Sequence, residues 1–458
     1  MGYIVFTHDF LTDLRHNIGM VPPTQPAQRE AADRLSQEQL DALVRLHERF
    51  LEGRIGGRRA MLRNTDLSGL SLKDQDMRQA DLTGCIMASM NLTGTNFKEA
   101  SLYACDLTNA NLNKAIFVRA DLRGARIENA SLEEADLEKA DLRAGGIASA
   151  DNFNESNSVN FRGANLSGAR LVGSLANNAD FSDAILSGAN ISHADFSGAK
   201  MEGADLSDAD LEGVKLRGAN MKSAILAGVK INDDLKKQVD LSETITDENI
   251  GKSISDIGEP LQKLIETHRL WVKTGGKQGT QLNLSDYDMR ELKTLKMEKL
   301  TAVKAQNTKF FGMNLYKVEM QSATLDGSDF RQCDMEEADL RGSSLKGARL
   351  NHARLCNANF DPLLFGAEGA QQRFSPCRFD NASLRYADFS GAQLKSAVFT
   401  GSDLSYANFE GCDLREADFT DAKYDKASFS GANTKGAIFE EEEGKAFSLG
   451  ALKEDQSK

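Results

Sequence analysis

The sequence has few aromatic residues and few prolines. Aromatic residues make up 7% of the 458 residues, with a single tryptophan, and there are six prolines. A core with so few large rings must be built from many small and medium aliphatic side chains laid down regularly, so an internal repeat is expected. With 40% hydrophobic and 27% charged residues, the composition is that of a globular chain, not of a membrane-spanning or disordered one.

Signals for export and membrane attachment are also missing. The first twenty residues carry acids among their apolar residues and lack the basic start of a secretory signal. Phe6 stands where myristoylation requires Ser or Thr. No stretch approaches the roughly 20 apolar residues of a membrane span. We therefore expect a cytoplasmic protein that makes no membrane contact.

Cysteine spacing and net charge exclude further classes. The six cysteines form no CxxC pair, which argues against a disulfide framework and a zinc site. A net charge of -13 argues against direct binding to nucleic-acid phosphates. It leaves open a basic partner, or a molecule that imitates a polyanion.

A large apolar residue recurs every five positions, eighteen times in succession from Leu62 to Ile147. A small residue, most often Ala, stands two positions before it, and an Asp or Asn lies between them. In an extended stretch the first and third side chains share a face, so Ala and Leu are predicted to point inward and Asp outward. Glycine, serine and threonine fill the two remaining positions, where they suit a corner. The pattern predicts a solenoid whose flat sides each contribute one pentapeptide.

Phenylalanine spacing indicates the number of sides in each turn. Phe379, Phe399, Phe419 and Phe439 recur every twenty residues. Residues one coil apart must stack on the same side, so four pentapeptides per coil fit better than three.

These motifs resemble those of the pentapeptide repeat family. Its signature A(D/N)LSG appears as Ala80-Asp81-Leu82-Thr83-Gly84, Ala164-Asn165-Leu166-Ser167-Gly168 and Ala387-Asp388-Phe389-Ser390-Gly391. The resemblance covers about 330 residues and implies a right-handed quadrilateral β-helix. It implies little about activity, because that family is defined by its architecture.

The repeat forms two arrays, and in each the spacing slips once, to fourteen residues. The slips follow Ile147 and Phe360, at comparable depth, which favours internal duplication of a whole unit. We predict an all-β solenoid of two right-handed quadrilateral β-helices, each preceded by a short capping α-helix. The predicted segments are an N-terminal extension (1–35), a capping helix and loop (36–59), a first β-helix (60–231), a connector (232–259), a second capping helix and loop (260–280), a second β-helix (281–439) and a C-terminal tail (440–458).

The two predicted helices share sequence features. Residues 36–53 begin with a Ser-x-x-Gln capping box and place leucines on one face. Residues 260–274 begin with a proline at a favourable first helical position. His47 with Phe50 matches His268 with Trp271, so these histidines are interpreted as packing or polar contacts and not as catalytic groups. We expect each helix to cover the coil edge at the start of its array.

No catalytic, cofactor-binding or metal-binding motif emerges from the sequence. There is no GxSxG, HExxH or Walker sequence, and Gly275–Thr280 lacks the spacing of a phosphate loop. We therefore expect a non-enzymatic protein without a cofactor, which binds an unidentified protein partner or serves as a scaffold. The alternative is a DNA mimic that acts on a type II topoisomerase, DNA gyrase or topoisomerase IV, as some pentapeptide repeat proteins do.

Two kinds of segment supply candidate partner-binding residues. The interruptions at 148–160 and 361–373 leave a rigid scaffold, as recognition loops commonly do, with a plain phase correction as the alternative interpretation of each. The first contains the candidates Asp151, Asn154 and Glu155. An acidic stretch supplies Glu133, Glu134 and Glu138, with a solvated surface as the competing interpretation.

Overall fold

The computed structural model describes residues 34–145, 158–365 and 373–439, and in them the pentapeptides form a continuous ladder. The outward residue of each pentapeptide pairs in a parallel β-bridge with the outward residue one coil further on, as Asp81 does with Ser101. Most bridges join residues twenty apart, so one coil contains four pentapeptides and has four sides. The twenty-residue period predicted from the phenylalanines is confirmed.

The inward positions fill the coil completely. Leu107 is fully buried and Ala110 is almost so, whereas Asp106 between two inward residues faces outward. Phe379, Phe399, Phe419 and Phe439 stack in one column, with successive ring centroids 4.9, 4.9 and 4.6 Å apart. Because the inward residues of each coil pack against those of the next coil, inward side chains are buried along the whole array.

Backbone hydrogen bonds run along the axis between coils. The amide of Leu62 donates to the carbonyl of Asp81 at 2.8 Å, and the amide of Asp81 donates to the carbonyl of Ala60 at 2.9 Å. Each coil is thus hydrogen-bonded through its backbone to the coils before and after it. The first and last coils consequently leave groups that need other partners.

The described residues divide into two compact units, the first ending at Asp247 and the second beginning at Glu248. Helix α1 (Gln37–Leu51) opens the first unit with Ser36 at its N-cap, where the predicted capping box with Gln39 is present. Its Leu40 and Val44 belong to the core of that unit.

The second unit contains helix α3 (Leu261–Lys273), whose Ile265 lies in the core of its own unit. Pro260 occupies the N-cap, so the helix begins at Leu261, one residue later than the sequence predicts. A short parallel pair, β1 (Lys252–Ser253) and β2 (Tyr287–Asp288), and two 3-10 turns, Ile254–Asp256 and Arg290–Leu292, complete the start of this unit.

The end of the first unit contains structure that the pentapeptide pattern does not predict. Helix α2 (Asp233–Gln238) lies within the segment predicted as a connector, and its Leu235 packs into the core of the first unit. Ile245 then pairs with Ile225 and continues the ladder. Residues 232–247 therefore fold with the first unit.

Side chains of helix α1 form hydrogen bonds with the first coil of the first unit. Nδ1 of His47 accepts the amide of Ala60 at 3.1 Å, and Nε2 of the same ring lies 3.0 Å from the carbonyl of Arg78. The side chain of Gln37 forms the two hydrogen bonds that a neighbouring strand would form. Its Oε1 accepts from the amide of Ser71 and its Nε2 donates to the carbonyl of Ser71, both at 2.9 Å.

Candidate binding surfaces

The outward Asp or Asn of each pentapeptide shapes the corner that follows it. Oδ1 of Asp81 accepts the amide of Thr83 at 3.2 Å and its hydroxyl at 2.7 Å. Asn190 does the same with Ser192, at 3.0 and 2.7 Å. Such side chains replace a backbone acceptor in a tight turn. The outward carboxylates are thus part of the scaffold as well as of the surface.

Arginine at the corner neutralises the carboxylate that precedes it by two positions. Arg123 binds Asp121 through Nε at 2.9 Å and through a terminal nitrogen at 2.7 Å. Hydrogen bonds from Arg415 hold the pKa of Asp413 below its usual value. The same pairing recurs in Asp76–Arg78, Asp141–Arg143, Asp288–Arg290, Asp329–Arg331, Asp339–Arg341 and Asp413–Arg415. Exposed pairs add little stability, and their main effect is to cancel surface charge.

The acidic stretch of the first unit is spread around its perimeter. We label the four sides A, B, C and D after the outward residues of the first coil, Met61, Asp66, Ser71 and Asp76. Successive pentapeptides occupy successive sides, so residues close in sequence face different directions. The acids of residues 128–141 are spread around all four sides: Glu128 at the corner after side B, Glu133 and Glu134 at the corner after side C, Asp136 on side D, Glu138 at the corner after side D, and Asp141 on side A.

The three predicted binding residues in this stretch all have partners. Glu133 accepts a hydrogen bond from the side-chain Nδ2 of Asn165 at 2.8 Å, and Glu134 forms an ion pair with Lys114 at 3.5 Å. Glu138 pairs with Arg170 and, at 3.0 Å, with the neighbouring Lys139. Hydrogen bonding to Arg170 lowers the pKa of Glu138. The structure thus places Glu133 and Glu134 at one corner and Glu138 at the next.

Side C carries a row of uncharged outward residues that sequence reasoning missed. The first five positions along its bridges are Ser71, Asn91, Asn111, Ser131 and Asn165, and the ladder then continues through Ile185 to Asp205. With coils about 4.8 Å apart, the five positions span about 19 Å. Asn91 and Asn111, in the middle, are exposed. The sequence could have predicted this row from the twenty-residue period, because the outward residues of every fourth pentapeptide lie on the same side.

Charged side chains border this row at the corner that follows it. Lys73 and Asp74 lie near its start, Lys114 in the middle, and Glu133 and Glu134 near its end. The five positions from Ser71 to Asn165 therefore form an uncharged row with charged side chains along one margin.

The interruptions leave the ladder intact on both sides. Arg126 pairs with Asn160, and Ser344 with Arg378, so each bridge there spans 34 residues, a coil of twenty plus fourteen. Asp151, Asn154 and Glu155 lie outside the described residues.

The second interruption begins and ends in an antiparallel pair, β3 (Leu363–Phe365) with β4 (Arg373–Ser375). Leu363 lies against Gly342, whereas Leu364 and Phe374 are exposed.

The histidines of helices α1 and α3 accept backbone hydrogen bonds, and five of the six cysteines are buried. Burial lowers the pKa of His47 and of His268, and both rings accept backbone amides. All six cysteines are free, and burial raises the pKa of the Cys85 thiol to about 11. Among residues 34–145, 158–365 and 373–439, no group of three or more His, Cys, Asp or Glu side chains is placed to hold a metal ion.

A search for membrane-spanning helices finds none of sufficient length and apolar character in the part of the chain that the structure describes.

Parallel bridges, filled coils and side-chain-pinned corners define the class of a four-sided β-solenoid built from pentapeptides. Family models agree with this assignment. A model described as a pentapeptide repeat region matches residues 372–447, and a model of pentapeptide repeats in eight copies matches 76–113, 105–143, 164–203, 204–233 and 325–361. The chain belongs to the pentapeptide repeat family, whose members form right-handed quadrilateral β-helices.

Several solved structures are similar to this chain at low identity. The plasmid-mediated fluoroquinolone resistance protein QnrB1 is 18% identical over 46% of this chain and 96% of its own, with a TM-score of 0.29. HetL from the cyanobacterium Nostoc, described as involved in heterocyst differentiation regulation, is 19% identical over 84% of this chain and 94% of its own, with a TM-score of 0.13. Rfr23 from the cyanobacterium Cyanothece is 17% identical over 33% of this chain and 94% of its own, with a TM-score of 0.17. The search of curated proteins gives no match.

Proposed function

We propose that this protein is a non-enzymatic binding or scaffold protein that presents the flat sides and loops of two right-handed β-helices to a protein partner. Helices α1 and α3 cap these β-helices in the proposal. The observation that carries it is side C, where the row from Ser71 to Asn165 is free of charge, is exposed at Asn91 and Asn111, and has charged residues at the corner that follows it. Protein interfaces commonly have this anatomy, with charged residues depleted at the centre and a polar rim.

The scaffold holds this row in a fixed arrangement. Inward residues next to it, such as Leu92 and Leu112, are fully buried, which fixes the backbone beneath the outward side chains. Oδ1 of Asn91 accepts from the amide of Thr93 at 3.3 Å and from its hydroxyl at 2.9 Å. Binding to an ordered surface loses less conformational entropy than binding to a mobile one, so a flat rigid side is suited to recognition.

Charge pairing favours this proposal over the DNA-mimic alternative. A polyanion mimic must display carboxylates without compensating cations, as phosphates are displayed on duplex DNA. Here Asp76, Asp121 and Asp141 are each held by the arginine two positions later. The acids of residues 128–141 are also divided among four sides.

A photo-crosslinking experiment tests the proposal. A photoreactive residue placed at Asn111 in the full-length protein should form adducts with a distinct set of proteins in a native extract. The same residue at Asn220, an exposed position on side B, is the matched control. Equal adducts at both positions, or none at Asn111, would contradict a binding role for side C.

A substitution provides the quantitative test once a partner has been captured. Asn111→Lys places a charge at the centre of the row and should weaken binding about tenfold. Asn220→Lys should leave the Kd unchanged. Loss of affinity in both variants would show a general charge effect and would remove the argument from side C.

A gyrase supercoiling assay separates the two functions. We expect neither inhibition nor protection of supercoiling by the purified protein. Inhibition or protection at micromolar concentration would support the mimic and overturn the proposal.

A further inference from the structure

A strongly basic loop follows helix α1 in the first unit. Residues 49–63 contain five arginines and a single acid, Glu52. We call residues 52–59 the arginine loop. Within it Arg54, Arg58 and Arg59 are exposed. Arg54 pairs with Glu52 at 2.8 Å, whereas Arg58 and Arg59 have no ion pair with any residue that the structure describes.

The loop is held rigidly on the end of helix α1. The amide of Gly53 donates to the carbonyl of Phe50 at 3.0 Å and that of Arg54 to the carbonyl of Arg49 at 2.8 Å, which together form a Schellman motif. The amide of Arg58 then returns to the carbonyl of Leu46 at 2.8 Å.

Gly57 makes this return possible. A Cβ atom at that position would lie 2.3 Å from the backbone nitrogen of Phe50, so only glycine allows the loop to approach the helix so closely. Nε of Arg59 also donates to the carbonyl of Gln79 at 2.5 Å, which ties the end of the loop to a corner of the solenoid.

The tip of this rigid loop carries an apolar side chain. Ile55 is 94% exposed, the highest exposure among the exposed large apolar residues of the described chain. Its carbonyl accepts from Arg49 at 2.5 Å, which fixes the backbone beneath the side chain. Phe50, 37% exposed and stacked on His47, supplies further apolar surface at the end of the same helix.

The helix explains only part of this charge. Cations near a helix C-terminus interact favourably with its dipole, and this accounts for Arg49 in the last turn. The effect fades beyond the last turn and does not require Arg58 or Arg59. It also gives no reason for an exposed isoleucine among them. The corresponding loop after helix α3, residues 274–280, contains one lysine and no apolar residue.

We propose that the arginine loop binds an acidic segment of a partner protein, with an aliphatic side chain of that segment packed against Ile55. This inference rests on the proposed protein-binding function and names the chemistry of one partner. Guanidinium groups bind carboxylates through paired hydrogen bonds, and a preorganised loop loses little entropy on binding. An apolar contact beside these ion pairs removes the Ile55 side chain from water, as apolar anchors do at protein interfaces.

Two other anionic partners fit less well. A single isoleucine buries too little apolar area to hold a protein at a lipid surface. The net charge of -13 repels long phosphate polymers from the rest of the chain, whereas a short acidic segment touches only this loop.

Fluorescence anisotropy with a labelled glutamate-rich peptide that contains a central leucine tests the proposal in the full-length protein. The double variant Arg54→Glu with Arg58→Glu should weaken binding at least about tenfold, and Ile55→Ser should weaken it about threefold to tenfold. The matched controls are Arg217→Glu with Lys230→Glu, two exposed cations at the other end of the first unit, and Ile438→Ser in the second unit. These controls should bind the peptide like the wild type. Circular dichroism shows that each variant is folded.

Competing probes define the contrary results. Vesicles rich in phosphatidylserine and a short DNA duplex should bind at least about tenfold more weakly than the peptide. Stronger binding to either probe, equal losses in the control variants, or undiminished peptide binding in the double variant would overturn the proposal. If the double variant still captures the adducts obtained at Asn111, the proposed function stands whatever the peptide shows. If the wild type captures none, that function fails separately.

Discussion

The amide of Leu282 donates a hydrogen bond of 3.1 Å to Nδ1 of His268, and the first unit repeats this contact between Ala60 and His47 at 3.1 Å. In both units the histidine belongs to the opening helix and the amide to the start of the first coil. Each ring also stacks on the aromatic residue three positions later, Phe50 or Trp271. A side chain thus takes the place of the coil that would otherwise accept this amide.

This contact requires a neutral ring and predicts sensitivity to acid. Burial lowers the pKa of His268 below its ordinary value of about 6.5. As the pH falls through about 6.5, the unfolded chain takes up a proton before the folded chain does. The free energy of unfolding of the second unit should therefore decrease below about pH 6.5 and be unaffected by this group above it.

Urea unfolding monitored by fluorescence of Trp271, the single tryptophan, measures this effect. The variant His268→Asn keeps an acceptor near the position of Nδ1 without a titratable ring. It should show a smaller difference in stability between about pH 5.5 and pH 7.5 than the wild type. An identical difference in both proteins would show that His268 does not contribute.

The inward and outward positions predict unequal costs of substitution. Leu107 is fully buried, so Leu107→Ala leaves a cavity and should cost about 2 to 5 kcal/mol of unfolding free energy. Asp106 faces outward and accepts from Thr108, and serine in its place retains an acceptor for the corner. Asp106→Ser should cost less than about 1 kcal/mol. Denaturant unfolding compares the two variants, and equal costs would contradict the assignment of faces.

Residues with left-handed backbone conformation at the corners predict unequal effects of two substitutions. Gly188 has a φ of 64° and open space around its missing Cβ, so Gly188→Ala adds only backbone strain, of about 1 kcal/mol. Ala104 occupies the same kind of position with a φ of 54°. Ala104→Gly removes that strain but increases the entropy of the unfolded chain, so the net change should be small or stabilising. Thermal unfolding should rank Ala104→Gly above Gly188→Ala.

The hydrogen bonds of Gln238 should protect the amide of Leu216, near the end of the first unit, from hydrogen exchange. Its Oε1 accepts from the amide of Leu216 at 2.8 Å, and its Nε2 donates to the carbonyl of Val214 at 3.4 Å. Gln238→Ala should cost about 1 kcal/mol and accelerate hydrogen exchange of the Leu216 amide. The amide of Leu107, bonded to Arg126 in mid-array, is the internal control. Unchanged exchange at Leu216 would show that water replaces the glutamine without loss.

Much of the fold is predictable because the residue types within each pentapeptide determine which positions are inward, outward and at the corner. The inward Leu107 and Ala110, the outward Asp106 and the corner Thr108 perform the roles that their chemistry favours. The stacking of Phe379 on Phe399 follows from the period alone. The candidate site was less predictable, because the uncharged row of side C becomes contiguous only after residues twenty apart are brought together.

The sequence by itself determined the period of five, the four-sided coil and the family, because these depend on local alternation repeated many times. Only the tertiary structure decided which charges meet. Arg170 reaches Asp136 and Glu138 across the first interruption, and Lys114 reaches Glu134 across one coil. It also decided that the side chains of His47 and Gln238 accept backbone amides of the ladder, from Ala60 and Leu216. The repeat specifies the hydrogen bonds between successive coils. It contains no information about side chains outside the repeat that form hydrogen bonds with the backbone of a coil.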